Sequence, residues 1–157
     1  MHFTEIDSPL GRLLLAASTQ GISGVYFEQH RHFKGSAGWA RMDEHPVLLA
    51  ASQQLSEYFA GQRREFTLPL DLSAGTEFQQ TVWQALLKIP YASTESYSGL
   101  ANQIGNPRAV RAVGAANGRN PVSIIVPCHR VIAANGALTG YAGGMQHKQA
   151  LLNLERR

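Results

Sequence analysis

Cysteine is almost absent from this chain: among 157 residues only Cys128 carries a thiol. One cysteine excludes an internal disulfide and every zinc site built from several thiolates. The histidines, His2, His30, His32, His45, His129 and His147, show no ligand spacing that would replace them. The expectation is a protein with neither metal nor other cofactor. Long apolar runs are also missing, and none approaches the length needed to span a bilayer. The first residues alternate like a strand instead of joining a basic segment to an apolar stretch, so the expected location is cytoplasmic, with no membrane partner. Acidic residues are scarce in one half only. Residues 1 to 77 hold 6 Lys/Arg against 9 Asp/Glu, a balance of −3, whereas residues 78 to 157 hold 8 against 2, a balance of +6. The cationic half is the half with the cysteine, which points to a polyanionic partner bound through its phosphates; a solvated basic face is the other reading.

What is present suffices for a packed core: 44% of residues are hydrophobic in a chain of one ordinary domain or two small ones. His2 to Ile6, Leu13 to Ala17 and Ile22 to Phe27 are β-prone and separated by turn residues, so they predict a small antiparallel meander. Residues 29 to 44 read as a loop. Pro46 suits the first turn of a helix to about Ala60, stopped by Gly61, with Leu48, Leu55, Tyr58 and Phe59 on one face. Phe66, Leu68 and Leu70 alternate like a further strand, and Asp71 to Gly75 like a linker. The boundary is placed there, giving an α/β domain over 1–72 and a mainly helical domain over 73–157.

The second part opens on Thr76 and Gln79, the spacing of a capping box, followed by Phe78, Val82, Trp83, Leu86 and Leu87 at helical intervals up to Pro90. Ser96 to Ile104 predicts a short helix closed by Gly105. Asn106 is then the expected cap of a second helix running from Pro107 to about Asn117, which completes a helix-turn-helix. Arg108 and Arg111 are three apart, and small residues such as Ala109, Val110 and Ala112 allow close approach of the backbone to a narrow groove, with anchoring through phosphates rather than base edges. A core helix with small residues at a crossing is the competing reading. Asn135-Gly136 predicts a tight hairpin that would act as a wing. Gly140 to Gly144 reads as a loop before a last helix from Met145 to Glu155.

Cys128 lies in Pro127-Cys128-His129-Arg130, directly after Ile124-Ile125-Val126. Thiol reactivity follows the thiolate fraction, and a neighbouring imidazole and guanidinium are groups that raise it. A buried structural cysteine is the alternative.

Four segments together carry a resemblance: Pro127-Cys128-His129-Arg130-Val131, the preceding Asn120-Pro121, Arg111-Ala112-Val113-Gly114-Ala115-Ala116-Asn117, and Thr139-Gly140-Tyr141-Ala142-Gly143-Gly144. They resemble the O⁶-alkylguanine-DNA alkyltransferases, densely from about residue 76 to 155 and more loosely before it, for instance at Tyr58-Phe59-Ala60-Gly61. The resemblance implies a ribonuclease-H-like α/β N-terminal domain joined to a winged-helix-like C-terminal domain. It implies irreversible transfer of an alkyl group from guanine O⁶ in double-stranded DNA to Cys128, once per molecule, with no cofactor and no obligate protein partner, the protein acting as a monomer.

Within that resemblance His129 takes the thiol proton through a bridging water, because neighbouring side chains of an extended segment diverge, and Glu155 orients His129. Tyr97 donates toward the leaving guanine and Asn120 braces the turn at the cysteine. Arg111 is the finger that enters the duplex where the base is extruded. Asn106, Arg108, Ala109, Val110 and Arg119 complete the DNA-binding set, and Val131, Tyr141, Ala142 and Gly143 line the alkyl pocket. Ala142 departs from relatives with serine there, and Gly99 from relatives with a polar residue in what reads as mid-helix. The zinc ligands of some animal relatives are absent. Two other functions stay open on sequence: a DNA-binding regulator or damage-recognition module without transfer, and a conventional thiol hydrolase or acyltransferase.

Overall fold

The computed structural model describes residues 1–157. Three strands, β1 (His2–Ser8), β2 (Gly11–Ala17) and β3 (Ile22–Phe27), form the expected meander, in order β3-β2-β1, with Ile6 opposite Leu13 and Leu15 opposite Val25. Alternation turns Leu13, Leu15 and Ala17 of β2 and Val25 and Phe27 of β3 into the core, and a register shift at Ala16/Ala17 lets Ile22 join them. A fourth strand, β4 (Ala40–Arg41), pairs parallel with the free edge of β1 inside the segment expected as loop. Two residues are too few to carry a periodic signal, so the edge's unpaired backbone groups and not side-chain pattern decide this pairing. Helix α1 (Pro46–Phe59) buries Leu48, Ala51, Leu55 and Tyr58; Phe59 is only half-buried.

The strand expected at Phe66 to Leu70 does not form. Only Leu70 bridges to Ile22, because Pro69 has no N–H to give a ladder, and its carbonyl instead accepts from Ile22 at 2.8 Å. The capping box is present as expected: Thr76 Oγ1 accepts from the Gln79 amide at 3.1 Å, and Gln79 Oε1 accepts from that of Thr76 at 2.9 Å. It opens α2 (Glu77–Leu86), which ends four residues before Pro90, and whose Trp83 is core, donating through Nε1 to Ala116 O at 2.8 Å.

Strand β5 (Glu95–Ser96) leads into α3 (Tyr97–Gln103), capped by Ser96, and α4 (Val110–Gly118) packs across both α2 and α3. The second helix of the pair thus begins three residues later than the expected Pro107. Asn106 does not cap it: residues 106–109 form a separate turn in which the Asn106 carbonyl accepts from Ala109 at 3.0 Å. Arg108 therefore stands on that turn and not on the helix face of Arg111. Gly99 belongs to the first turn of α3 rather than its middle, and the Glu95 carboxylate fills the space a side chain at 99 would need.

Asn135-Gly136 makes a tight turn, with Gly136 at φ 83° and Ala133 donating to Ala137 O at 3.0 Å, but no hairpin ladder follows. The wing is corrected to β6 (Val131–Ile132), which pairs parallel with β5 and so spends its hydrogen bonds there. Helix α5 (Met145–Glu155) closes the chain. One cluster of 27 buried residues runs from Leu13, Val25 and Tyr58 through Trp83 and Val113 to Val126, Cys128 and Leu151, so sheet and helices share a core.

Candidate active site

Asn120 builds the turn that carries the cysteine. Its Oδ1 accepts from the Val122 amide at 3.0 Å, and its Nδ2 donates to Val126 O at 2.8 Å and Val122 O at 3.4 Å. Between those carbonyls Ile124 is buried at φ 71°, a left-handed conformation that is strained for a β-branched side chain. The turn is held by a buried amide rather than by backbone preference. Residues Cys128–Arg130 then form one 3₁₀ turn, not the extended segment expected from the sequence. The Cys128 amide donates to Val126 O at 2.8 Å, which bends the chain before it can extend. Asn117 adds a bond from Nδ2 to Cys128 O at 3.4 Å.

The thiol is 4% exposed. Burial pushes it up to about 11, with the Asn120 amide and the Lys148 charge pulling the other way. Arg130, expected to raise the thiolate fraction, instead turns to Glu155, donating from Nε to Oε1 at 2.8 Å and from Nη2 to Oε2 at 3.0 Å, with Nη1 on Ile89 O at 2.7 Å.

Glu155 gathers the site. Its Oε2 accepts from Tyr58 Oη at 2.6 Å and lies 2.7 Å from His129 Nε2, and Oε1 takes the Ala92 amide at 3.3 Å. Burial alone would raise this carboxyl, but His129, Arg130 and Tyr58 together hold it well below its ordinary range. Burial lowers His129 despite the Glu155 charge, which favours the neutral ring. Its Nδ1 is buried and has no hydrogen-bond partner in the protein, which leaves that nitrogen able to accept. The structure brings Glu155 and His129, both singled out in the sequence, into direct contact.

The pocket loop is fixed from two sides. Lys148, fully buried and lowered to about 8 by burial, donates to Val131 O at 2.7 Å and Thr139 O at 3.1 Å. Val131 itself points into the core, so its carbonyl, not its side chain, serves the loop. Tyr97 is hydrogen-bonded through its hydroxyl to Thr139 Oγ1. The Tyr141 hydroxyl is buried, and desolvation with the neighbouring Cys128 sets it well above its ordinary value. Ala142 O accepts from the Arg31 amide at 2.8 Å, and a Cβ on Gly143 would run into the Phe27 ring, so β3 and its following loop back the pocket.

On the outer side of α4, Arg111 is exposed, as are Asn106 and Arg108 on the preceding turn and Arg119 just past the helix end, while Ala109 and Val110 are half-buried. Gly114 connects this surface to the site: a Cβ there would sit 3.7 Å from the Tyr97 ring.

Tyr58, Arg130 and Lys148 are site residues whose placement the sequence reading missed. For Lys148 a signal existed: positions 148, 151, 152 and 155 form one helical stripe, and all four are buried, which brackets two leucines with opposite charges. Tyr58 arrives from 97 residues away and carried none.

Two family models cover the chain. The 6-O-methylguanine DNA methyltransferase ribonuclease-like domain matches residues 1–72, and the DNA binding domain of the same proteins matches residues 77–157. The chain belongs to the 6-O-methylguanine DNA methyltransferase family. A family relative, the methylated-DNA--protein-cysteine methyltransferase of Mycobacterium leprae, is 49% identical over 99% of this chain and 93% of its own. The constitutive enzyme of that name from Bacillus subtilis is 48% identical over 99% and 95%. Among solved structures of the family, Mycobacterium tuberculosis OGT in complex with DNA superposes with a TM-score of 0.91 at 49% identity, covering 99% of this chain and 93% of that one.

Proposed function

We propose that this protein repairs DNA by direct reversal: Cys128 takes the alkyl group from O⁶-alkylguanine in a single, irreversible turnover. The observation that carries this reading is the buried Cys128 next to a neutral His129 whose Nε2 is held by Glu155 at 2.7 Å while Nδ1 keeps its lone pair. A protonated, buried thiol needs a base at the moment of reaction, and a neutral imidazole beside an anion is such a base.

The thiol proton passes through a water to His129 Nδ1, and Glu155 stabilises the imidazolium that results. Sulfur then attacks the alkyl carbon in line, the C–S bond forms as the C–O bond breaks, and the purine keeps the electron pair. Tyr97 gives its proton to that purine. The thioether has no route back, so each molecule acts once. Asn120 keeps the cysteine turn in place, and Tyr141, Ala142, Gly143 and the Val131 carbonyl shape the alkyl pocket.

The partner is duplex DNA bearing the lesion, bound by a monomer through phosphates at Arg108, Arg119 and the backbone of residues 106–110, with Arg111 filling the space of the extruded base. We assign substrate binding and chemistry to residues 73–157, and to residues 1–72 a supporting role that includes Tyr58. No helix is long and apolar enough to cross a membrane. A thiol nucleophile that must stay reduced fits the cytoplasm.

Cys128→Ala is the test. The variant should bind alkylated duplex with wild-type affinity and transfer nothing. Residual transfer in that variant would overturn the assignment of the acceptor.

A further inference from the structure

Thr139 stands where the pocket loop crosses the start of α3, and its two polar groups have different tasks. Its hydroxyl is paired with that of Tyr97, an arrangement in which either oxygen can donate. Its carbonyl accepts from Lys148 Nζ at 3.1 Å, and the same ammonium holds Val131 O at 2.7 Å. Lys148 thus ties both ends of the 131–139 segment and fixes the backbone of Thr139 independently of its side chain. The Tyr97 ring lies beside α4 at Gly114, where an added Cβ would sit 3.7 Å from it. Two hydroxyls anchored on separate elements are kept as a pair.

A phenol that accepts a hydrogen bond is a better donor, because bonds in a chain polarise one another. We propose that Thr139 is a positioning residue for alkyl transfer: its hydroxyl donates to Tyr97 Oη while Tyr97 donates to the departing guanine. The proton that moves is the phenolic one, which goes to the purine as the C–O bond breaks. The Thr139 proton stays on its own oxygen and stabilises the phenolate until solvent reprotonates it. This role rests on the transfer reading above and gives the pocket loop a chemical contribution beyond its shape.

The experiment is single-turnover repair of O⁶-methylguanine duplex at saturating protein, comparing wild type, Thr139→Val, Thr139→Ser, Tyr97→Phe and the Val/Phe double variant. Thr139→Val should be slower by about tenfold, the rate equivalent of one net hydrogen bond. Thr139→Ser should restore the rate, and Thr139→Val should cost nothing further once Tyr97 is Phe. Thr139→Ala serves as a second hydroxyl-free variant, so that a packing defect peculiar to valine is not mistaken for the lost hydroxyl; both must be slow. Wild-type rates in Val and Ala, failure of Ser to rescue, or additive losses in the double variant would each overturn the proposal. A wild type that takes up no alkyl group would instead overturn the transfer reading itself, which the same assay reports separately.

Discussion

Burial favours the protonated form of the Cys128 thiol. With the thiol at about 11, its thiolate fraction at pH 7 is about one in ten thousand, and burial is the reason. Reaction of free protein with a small iodoacetamide, followed at Cys128 by peptide mass, should therefore rise about tenfold per pH unit from pH 7 and level off only near pH 11. A plateau near neutrality would mean a preformed thiolate and would contradict a base-assisted mechanism. Glu155 is at once the anion behind His129 and the counter-ion of buried Arg130. Glu155→Gln leaves that guanidinium unpaired, so it should lower unfolding free energy by about 3–5 kcal/mol as well as slow transfer. Its carboxyl lies below its ordinary value of 4.5 when folded. The unfolded chain then binds the proton first as pH falls, and stability present above pH 4.5 is lost below it. Urea melts from pH 6 to 3 should show this loss in wild type and a shallower one in Glu155→Gln. Equal midpoints for the two proteins at pH 7 would remove Glu155 from the structural role.

At the level of elements, α4 divides its labour: Val113, Ala116 and Asn117 are buried while Arg111 is exposed one residue past the helix start. If Arg111 replaces an extruded base, Arg111→Ala should slow single-turnover repair of duplex much more than of single strand at saturating protein. A phosphate clamp would instead weaken binding to every DNA and reduce the salt slope by about one unit. Equal rate losses on both substrates would rule out the finger. The bounds of α1 and α5 and the start of α2 were legible because each has a local device, Pro46 in a first turn, a polar stretch before an apolar stripe, and the Thr76–Gln79 box, whereas α2 stops at Leu86 rather than at Pro90. The start of α4 was not, since Pro107 permits a helix and a turn alike and the Asn106–Ala109 bond chooses the turn. The hairpin wing failed for a different reason: β6 finds its partner in β5, 36 residues earlier, and pairing over such a distance leaves no local mark. The same holds for the site. Cys128 and His129 were readable as neighbours, whereas the meeting of Tyr58, Arg130 and Glu155 exists only after α1 and α5 have packed.

Over the whole molecule, two asymmetries act together. Charge is split along the chain, so the basic half attracts phosphate while the acidic half does not compete for it. The core is not split: its 27 residues include Leu15 and Leu55 from the first half and Val126 and Cys128 from the second, and Tyr58 reaches from α1 to Glu155. The cysteine turn, strained at Ile124, is tied to both halves, through Val25 N–H to Pro121 O and through Asn120 to Val122 and Val126. Intact mass spectrometry of wild-type protein after incubation with excess O⁶-methylguanine duplex measures the single transfer to Cys128. One methyl group per molecule is expected, located on Cys128, with one guanine restored for each and no further repair on longer incubation. Unchanged protein mass, whether the lesion persists on bound DNA or disappears catalytically, would contradict it.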